Sequence, residues 1–266
     1  MNYTIYRLDC LTNLHMGGSD ANYDVIDLQV ERDPVLGEPT MNASGVKGAL
    51  RDHCEVNAPN RKSEITEIFG TRNGGEQQGS YAFFGADLLA RPVRASCCDA
   101  AWLLATTPDL ISSFVNKLRA LGIDIKGQLP SVAESCTVKV SCHCKTVEGL
   151  DTKPLSDEEK AAYQPIMKLL LNTDKYVIMS SDMLRSIALP VVAHNVLENA
   201  ISKNLWYEEY VPHKSVFGLI VGRPGEKDIF NEIIRTAPVV QFGAEASTGC
   251  GYVRMTKLDP DGGTAQ

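Results

Sequence analysis

Asp27 and His15 are the residues of this chain whose types and positions most directly suggest chemistry. Asp27 is a lone carboxylate between Ile26 and Leu28, and His15 stands before it at the start of a loop rich in small and polar residues. A loop carboxylate can hold a metal ion against a phosphate or act as a base. A neutral imidazole nearby can take up a proton at cellular pH. The alternatives are an ordinary loop aspartate and a buried histidine bonded to backbone, and spacing alone excludes neither.

A short helix carrying two cations is predicted after this loop. Ser44 is a typical N-cap residue, so the helix is expected to run from about Ser44 to Glu55. Lys47 and Arg51 are four residues apart and therefore share one face. Because a helix N-terminus attracts anions, this face is predicted to contact phosphate groups; the alternative is a solvated helix face.

The overall charge disagrees with this local pattern. The chain has 266 residues and a formal net charge of −7, whereas many nucleic-acid-binding proteins are basic. Charges act over a Debye length of about 8–10 Å in physiological salt, so an acidic body can carry a basic groove. Lys47, Arg51, Arg91 and Arg94 are predicted to form that groove.

No segment of the sequence predicts a membrane span or an export signal. No run approaches the roughly 20 apolar residues that a bilayer requires, and the first residues alternate like a strand without a basic start and apolar core. A cytoplasmic location is therefore expected. The eight cysteines are then expected to be free thiols.

Four nearby residues are possible zinc ligands: Cys136, Cys142, His143 and Cys144. Their spacing differs from that of Cys-x-x-Cys zinc knuckles. Residues 137–147 are predicted to form one strand, on which Cys142 and Cys144 share a face and His143 points to the other. A structural metal is therefore not expected here.

Interleaved strands and helices predict an α+β fold in one domain. The region 56–80 is polar, with an early proline and late glycines, and is predicted to be a flexible insertion. The tail 259–266 is expected to be disordered. Thr107 and Pro108 predict a helix start, Ser156 begins a capping box, and Pro165 is expected to limit the helix that follows it.

Motifs spread across the chain resemble those of one family, in the same order. They are Leu-His-Met-Gly at 14–17, Val-Ile-Asp at 25–27 with Glu-Arg at 31–32, Ser-Gly-Val-Lys-Gly-Ala-Leu-Arg at 44–51, Arg-Pro-Val-Arg at 91–94, Leu-Trp-Tyr-Glu-Glu-Tyr-Val-Pro at 205–212 and a glycine-rich segment at 243–251. The sequence resembles the RAMP superfamily of RNA-binding proteins, and within it the repeated backbone subunits of type III-B (Cmr) CRISPR effector complexes. One departure is Cys250, where many relatives carry Arg or Lys.

The resemblance implies a ferredoxin-like core, related to the RNA-recognition-motif fold, with insertions. A segment at about 186–205 would form a projecting thumb. Asp27 would be the catalytic residue and would position a divalent cation, Mg²⁺ or Mn²⁺, or help to activate a ribose 2′-hydroxyl. Glu208 and Tyr210 resemble family positions that would assist catalysis from the next subunit; the alternative is that Trp206, Tyr207 and Tyr210 pack the base of the thumb. His15 is the third catalytic candidate besides Asp27, as the imidazole base described above.

The resemblance also implies an RNA-binding surface and a set of partners. The predicted RNA-contacting residues are Ser44, Lys47, Arg51, Arg91, Arg94, Gly243, Ser247, Thr248, Gly249 and Gly251. Glycines suit a loop that RNA backbone approaches closely, although a tight structural turn would explain them equally. The implied partners are a CRISPR guide RNA, the target RNA, further copies of the chain and other type III-B subunits.

Three functions remain open from the sequence. The first is a subunit that assembles along guide RNA and cleaves complementary RNA at regular intervals. The second is a catalytically inactive RNA-binding scaffold, against which Asp27 argues. The third is a guide-processing RAMP endonuclease, a class that lacks this aspartate loop and the thumb.

Overall fold

The central strand of the fold, β1 (Asn2–Cys10), has apolar side chains on both faces. Ile5 packs into one hydrophobic cluster, whereas Tyr6 and Leu8 pack into a second cluster across the sheet. Successive side chains of a strand point to opposite faces, so this pattern requires helices on both sides. The computed structural model describes residues 1–17, 26–72, 77–97, 100–131, 137–199 and 201–260.

Within these ranges, twelve strands form one mixed sheet and two others form a separate hairpin. The remaining strands are β2 (Thr40–Met41), β3 (Ala82–Phe83), β4 (Ala86–Cys97), β5 (Trp102–Thr106), β6 (Val138–Val140), β7 (Cys144–Val147), β8 (Leu150–Pro154), β9 (Tyr176–Ile178), β10 (Val191–Glu198), β11 (Ile201–Glu209), β12 (Val216–Arg223), β13 (Val239–Gln241) and β14 (Tyr252–Leu258). The main order is β13-β14-β1-β12-β4-β5-β9-β6-β8-β7, and β7 also pairs with β4. That last pairing closes half of the sheet into a barrel-like ring.

The helices cover the two faces of this sheet. They are α1 (Ala43–Asn57), α2 (Lys62–Phe69), α3 (Pro108–Ala120), α4 (Asp157–Leu171), α5 (Ser181–Ser186) and α6 (Ile229–Thr236). Two predicted helix starts are confirmed: the Thr107 hydroxyl accepts the Leu110 N–H, and Ser156 and Glu159 form a reciprocal capping box. Each cap satisfies backbone donors that the first helical turn leaves unpaired.

Two sequence predictions about helices are wrong. The supposed flexible insertion contains α2, whose Ile65, Ile68 and Phe69 are buried in the core. Helix α4 continues through Pro165 to Leu171. A proline inside a helix costs about 3 kcal/mol, but α4 also buries several apolar residues worth roughly 1.5–3 kcal/mol each. Burial therefore outweighs the local penalty.

Residues 137–147 do not form the single predicted strand. The chain bends at Ser141, whose hydroxyl donates to the Asp174 carbonyl at 2.8 Å and accepts the Tyr176 N–H at 2.8 Å. The strand β6 before the bend pairs with β9 and β8, and β7 after it pairs with β4 and β8. Side-chain bonding at the bend thus divides the segment between two parts of the ring.

The hairpin β10–β11 stands apart from the large sheet, in the region predicted to form the thumb. Its exposed apolar side chains include Val191, Val196, Ile201 and Leu205. At its base His194 stacks on Trp206, with ring centroids 5.4 Å apart. Most of the predicted disordered tail, 261–266, lies outside the described residues. Among the residues that are described, no helix is both long and apolar enough to cross a bilayer.

Candidate functional site

The Asp27 loop is attached to the base of the hairpin as an additional short strand. The Leu28 N–H donates to the Tyr207 carbonyl at 3.1 Å, and the Glu209 N–H donates to the Leu28 carbonyl at 2.9 Å. Glu209 also accepts the Val30 N–H and forms an ion pair of 2.5 Å with Arg32. These bonds fix the loop carrying Asp27 relative to β11.

The Asp27 carboxylate is exposed, and one of its two oxygens accepts a hydrogen bond. Its Oδ2 accepts the Tyr207 N–H at 2.8 Å. Within the described ranges no hydrogen bond to Oδ1 is present, and the residue is exposed, so this oxygen can take a ligand. Asp24, a second carboxylate close by in the sequence, lies outside those ranges.

This arrangement fits a divalent cation shared with RNA better than a cation held by protein alone. In the described part of the chain, no cluster of three His, Cys, Asp or Glu side chains could hold a metal ion. Mg²⁺ characteristically keeps several waters and binds through one or two carboxylates plus substrate phosphates. One exposed carboxylate oxygen at Asp27 meets that requirement.

His15 is buried behind the Asp27 loop with one ring nitrogen engaged. Its Nδ1 lies 2.8 Å from the Glu209 carbonyl oxygen, which can only accept, so Nδ1 carries the proton. The side chain is 3% exposed. The predicted imidazole base therefore has no access to solvent in this conformation.

Glu208 and Tyr210 belong to a closed polar network at the hairpin base. The Tyr210 hydroxyl and the Trp206 ring N–H donate to the two Glu208 carboxylate oxygens at 2.8 and 2.7 Å. His194 Nε2 lies 3.0 Å from the Tyr210 hydroxyl oxygen. Burial raises the pKa of Glu208. The hydrogen bonds from Trp206 and Tyr210, together with electrostatic interactions with His194 and His15, lower it by more, so the net pKa is below its ordinary value. Glu208 is therefore an anion.

The network restricts what Glu208 and Tyr210 can do. They are 3% and 2% exposed, and burial together with the Glu208 bond raises the pKa of Tyr210 well above its ordinary range. A carboxylate with both oxygens occupied and a phenol that holds its proton cannot contact RNA in this form. In this conformation both residues are tied into the hairpin base, and their predicted assisting role in catalysis stays a prediction.

The predicted phosphate helix is present, with a different start. Helix α1 begins at Ala43 with Asn42 as its N-cap, so Ser44 lies in the first turn and is exposed. Lys47 is half-buried, and within the described ranges it has no ion pair or hydrogen bond. Arg51 is turned inward and bonds to Glu55 and to the Gly70 carbonyl. Of the two cations, Lys47 is the one free to meet a phosphate.

Arg91 and Arg94 point to opposite faces of β4 because their positions differ by an odd number. Arg91 is buried, donates to the Ile187 carbonyl at 2.8 Å and pairs with the buried Glu38 at 3.6 Å. The prediction that Arg91 contacts RNA is therefore wrong for this conformation. Arg94 is exposed, and its guanidinium is paired with Glu148 at 2.8 Å.

The glycine-rich loop 243–251 contacts the His15 segment. Gly243 has φ of +76°, and a Cβ there would lie 2.2 Å from the His15 carbonyl oxygen. A Cβ at Gly251 would lie 2.0 Å from the Phe242 carbonyl oxygen. These two glycines are required by the fold itself. Gly249 has open space around it, and the neighbouring Ser247 and Thr248 are exposed, so that part of the loop can meet RNA.

The Arg32–Glu209 pair and the His194–Trp206 stack were not identified from the sequence. For the ion pair, the only hint in the sequence was that Glu209 is a second carboxylate directly after Glu208. Its partner lies far away along the chain, so spacing could not have connected them. The stack depends on the register of the hairpin, where His194 is directly opposite Trp206.

A comparison with protein families decides the wider assignment. The profile of the RAMP superfamily matches residues 7–254. The chain belongs to the RAMP superfamily.

Two named proteins are similar to this chain over nearly its whole length. The CRISPR system Cmr endoribonuclease Cmr4 of Pyrococcus furiosus is 23% identical over 295 residues, covering 99% of each chain. The CRISPR system CMR subunit Cmr4 of Saccharolobus solfataricus is 24% identical over 310 residues, covering 96% of each.

Solved structures of the superfamily show the same fold. One is a chain of the type III-B Cmr-beta complex bound to cognate target RNA, with a TM-score of 0.77, 20% identity and 97% coverage of both chains. Another is oligomeric Cmr4 from Pyrococcus furiosus, with a TM-score of 0.73, 19% identity and coverage of 97% of this chain and 98% of that one.

Proposed function

We propose that this chain is the repeated backbone subunit of a type III-B CRISPR effector complex and that it cleaves RNA complementary to a bound guide. The similarity to Cmr4 proteins extends over nearly the full length of both chains, and one of those relatives is named an endoribonuclease. The proposed partners are guide RNA, target RNA, further copies of the chain and other subunits of the complex. We also propose that the core is ferredoxin-like with insertions, as the resemblance implies.

The observation that carries the cleavage proposal is the position of Asp27. Its carboxylate is exposed where a projecting hairpin joins the core, and the Tyr207 N–H holds one of its oxygens. The segments that flank Asp27 lead to two other exposed parts of the chain. Glu31 accepts a hydrogen bond from Asn42, the N-cap of α1, and the His15 carbonyl accepts the Ala244 N–H of the 243–251 loop. We infer that an RNA strand passing the hairpin base would run past these groups. Backbone-positioning groups and a carboxylate are then available to the same segment of RNA.

Asp27 would supply an oxygen ligand for Mg²⁺ or Mn²⁺. When bound there, such a cation would offset the negative charge that develops on the scissile phosphate. The remaining steps belong to the protein: the hairpin base holds the carboxylate still, and the α1 N-terminus and Lys47 orient the phosphate chain. The same carboxylate can alternatively accept the proton of the ribose 2′-hydroxyl that attacks this phosphate.

A second candidate is the RNA-binding scaffold without cleavage. It is favoured by the burial of three groups predicted to assist catalysis, His15, Glu208 and Tyr210. In that case Asp27 would only fix the hairpin through its bond to Tyr207.

The reconstituted complex with a labelled RNA complementary to the guide separates these candidates. We expect a ladder of evenly spaced products with Mg²⁺ or Mn²⁺. EDTA should abolish the ladder while target binding, measured in parallel by gel shift, persists. Target binding without cleavage products, with either Mg²⁺ or Mn²⁺, would support the scaffold. Cleavage products that are unchanged in EDTA would exclude a role for a divalent cation in cleavage.

Lys47→Ala is expected to weaken guide RNA binding equally for all guide sequences, because phosphate contacts carry no sequence information. The slope of log K against log salt should decrease in magnitude by roughly 0.7, the value for one lost contact to single-stranded nucleic acid. Lys62→Ala, which removes the same charge from the exposed start of α2, is the matched control and should leave the slope unchanged. Equal slopes for wild type and Lys47→Ala would show that this lysine only faces solvent.

A further inference from the structure

Three cysteine side chains that are separated in the sequence meet where β4 pairs with β7. Cys97 and Cys144 are direct partners in this antiparallel register, next to an irregularity in the pairing. Cys142 and Cys144 both lie close enough to the Cys97 thiol to raise its pKa, and the Cys144 thiol donates to the Thr146 carbonyl at 3.3 Å. All three are partly buried against the main hydrophobic cluster, and all three are free thiols. The proposed RNA-cleaving function uses none of them.

The register makes Cys97 and Cys144 suitable for a covalent bond. Directly opposed residues of an antiparallel pair have Cα atoms about 4.5 or 5.5 Å apart. A disulfide requires a Cα separation of about 4.4–6.8 Å, so both kinds of pair are within range. Side chains of directly opposed residues also lie on the same face of the sheet. The backbone would therefore need little movement to bring these two sulfurs together.

The alternative role for three adjacent thiols is to bind a metal ion. His143, the additional ligand that the sequence offers, is exposed, whereas the two cysteines that flank it are half-buried. The described ranges contain no cluster of three potential ligands that could hold a metal. The geometry therefore favours a pair of reacting thiols over a zinc site.

We propose that Cys97 and Cys144 form a reversible disulfide that fixes the closure of the barrel-like ring between β4 and β7. With hydrogen peroxide as oxidant, one thiolate attacks the peroxide oxygen to give a sulfenic acid and hydroxide. The second thiol attacks the sulfenic sulfur, and the S–S bond forms as water leaves. In total, two thiols and one peroxide give one disulfide and two waters.

Cys144 is the residue that reacts first in this scheme. Burial, followed by the hydrogen bond with Cys144, raises the pKa of Cys97 to about 12, so Cys97 carries very little thiolate at neutral pH. Because the thiolate is the nucleophile, Cys97 is the resolving partner. Cys142 is close enough to compete for it, and the test must separate the two.

The test oxidises the reduced full-length chain with hydrogen peroxide, blocks remaining thiols with N-ethylmaleimide and maps tryptic peptides without reduction. The peptide Ala95–Lys117 carries Cys97 and Cys98, and Val140–Lys145 carries Cys142 and Cys144. We expect these two peptides to be joined by one disulfide, with one N-ethylmaleimide on the remaining thiol of each. The mass should be two hydrogens below the sum of the two peptides with one N-ethylmaleimide each. The join should persist in Cys142→Ser and disappear in Cys97→Ser and Cys144→Ser.

Thermal unfolding gives a second measurement on the same samples. The oxidised wild type should unfold roughly 5 °C or more above its reduced form, since the bond closes a long loop. Cys97→Ser should show no such difference. A disulfide that uses Cys98 or Cys142 would overturn the proposal. So would the absence of any disulfide between the two peptides at peroxide concentrations that oxidise these thiols to sulfinic acid. Stoichiometric zinc in native mass spectra of the reduced protein, lost on Cys144→Ser, would show that the cluster is a metal site instead.

Discussion

Asp27→Asn is expected to abolish target cleavage while leaving assembly and RNA binding intact. An asparagine keeps an oxygen that can accept the Tyr207 N–H, so the hairpin base should remain in place. It removes the negative charge that would hold a cation or accept a proton. The loss of one preorganised electrostatic group at a reacting centre costs about 10²–10³-fold in rate, and we expect a decrease at least this large. Labelled complementary RNA in the reconstituted complex measures cleavage and capture in parallel.

Two further variants make this experiment specific. Asp33→Asn is the matched control, because Asp33 lies in the same segment but its carboxylate only accepts the Val35 and Leu36 N–H groups. It should cleave at the wild-type rate. Asp24→Asn is expected to have a smaller effect than Asp27→Asn. Wild-type cleavage by Asp27→Asn would refute the catalytic assignment, and failure to capture target would show that Asp27 is structural.

Arg91→Ala is expected to destabilise the protein strongly, because Arg91 is a buried charge and not a surface contact. The guanidinium pairs with buried Glu38 and holds the backbone where α5 leads into the hairpin, through the Leu184 and Ile187 carbonyls. Burial already raises the pKa of Glu38, which Arg91 counteracts. Breaking a buried ion pair by removing one partner typically costs about 3–5 kcal/mol, so urea denaturation should show a loss of this size.

The double variant distinguishes lost charge pairing from lost packing. Glu38→Gln combined with Arg91→Met removes both charges and keeps most of the volume, so it should be more stable than Arg91→Ala. Arg94→Ala is the matched control on the same strand and should change the unfolding midpoint much less, because Arg94 is 88% exposed. Equal losses for Arg91→Ala and Arg94→Ala would mean that burial at Arg91 has no energetic consequence.

The sequence determined the features that depend on neighbouring residues. The first residues alternate like a strand and form β1, and Thr107 and Ser156 predicted helix starts that the structure confirms. These signals are local, because a cap satisfies donors only three residues away and a strand repeats every two residues. The ordered motifs were equally readable, and the superfamily they indicated is confirmed over residues 7–254.

The tertiary structure decided which charged residues face solvent. Arg91 and Arg94 are equivalent by type, yet Arg91 is buried because Glu38 and the end of α5 come from distant segments to meet it. Glu208 and Tyr210 were predicted to be catalytic by resemblance, and a hairpin register that opposes His194 to Trp206 encloses them.

The same limit applies to the cysteines. The sequence presented Cys142 and Cys144 as neighbours on one strand, whereas a bend at Ser141 and the β4–β7 pairing bring Cys144 opposite Cys97. Burial and pairing are properties of surfaces that meet only after the chain has folded. A sequence therefore specifies the kinds of groups available to a site, and long-range packing selects those that remain free to react.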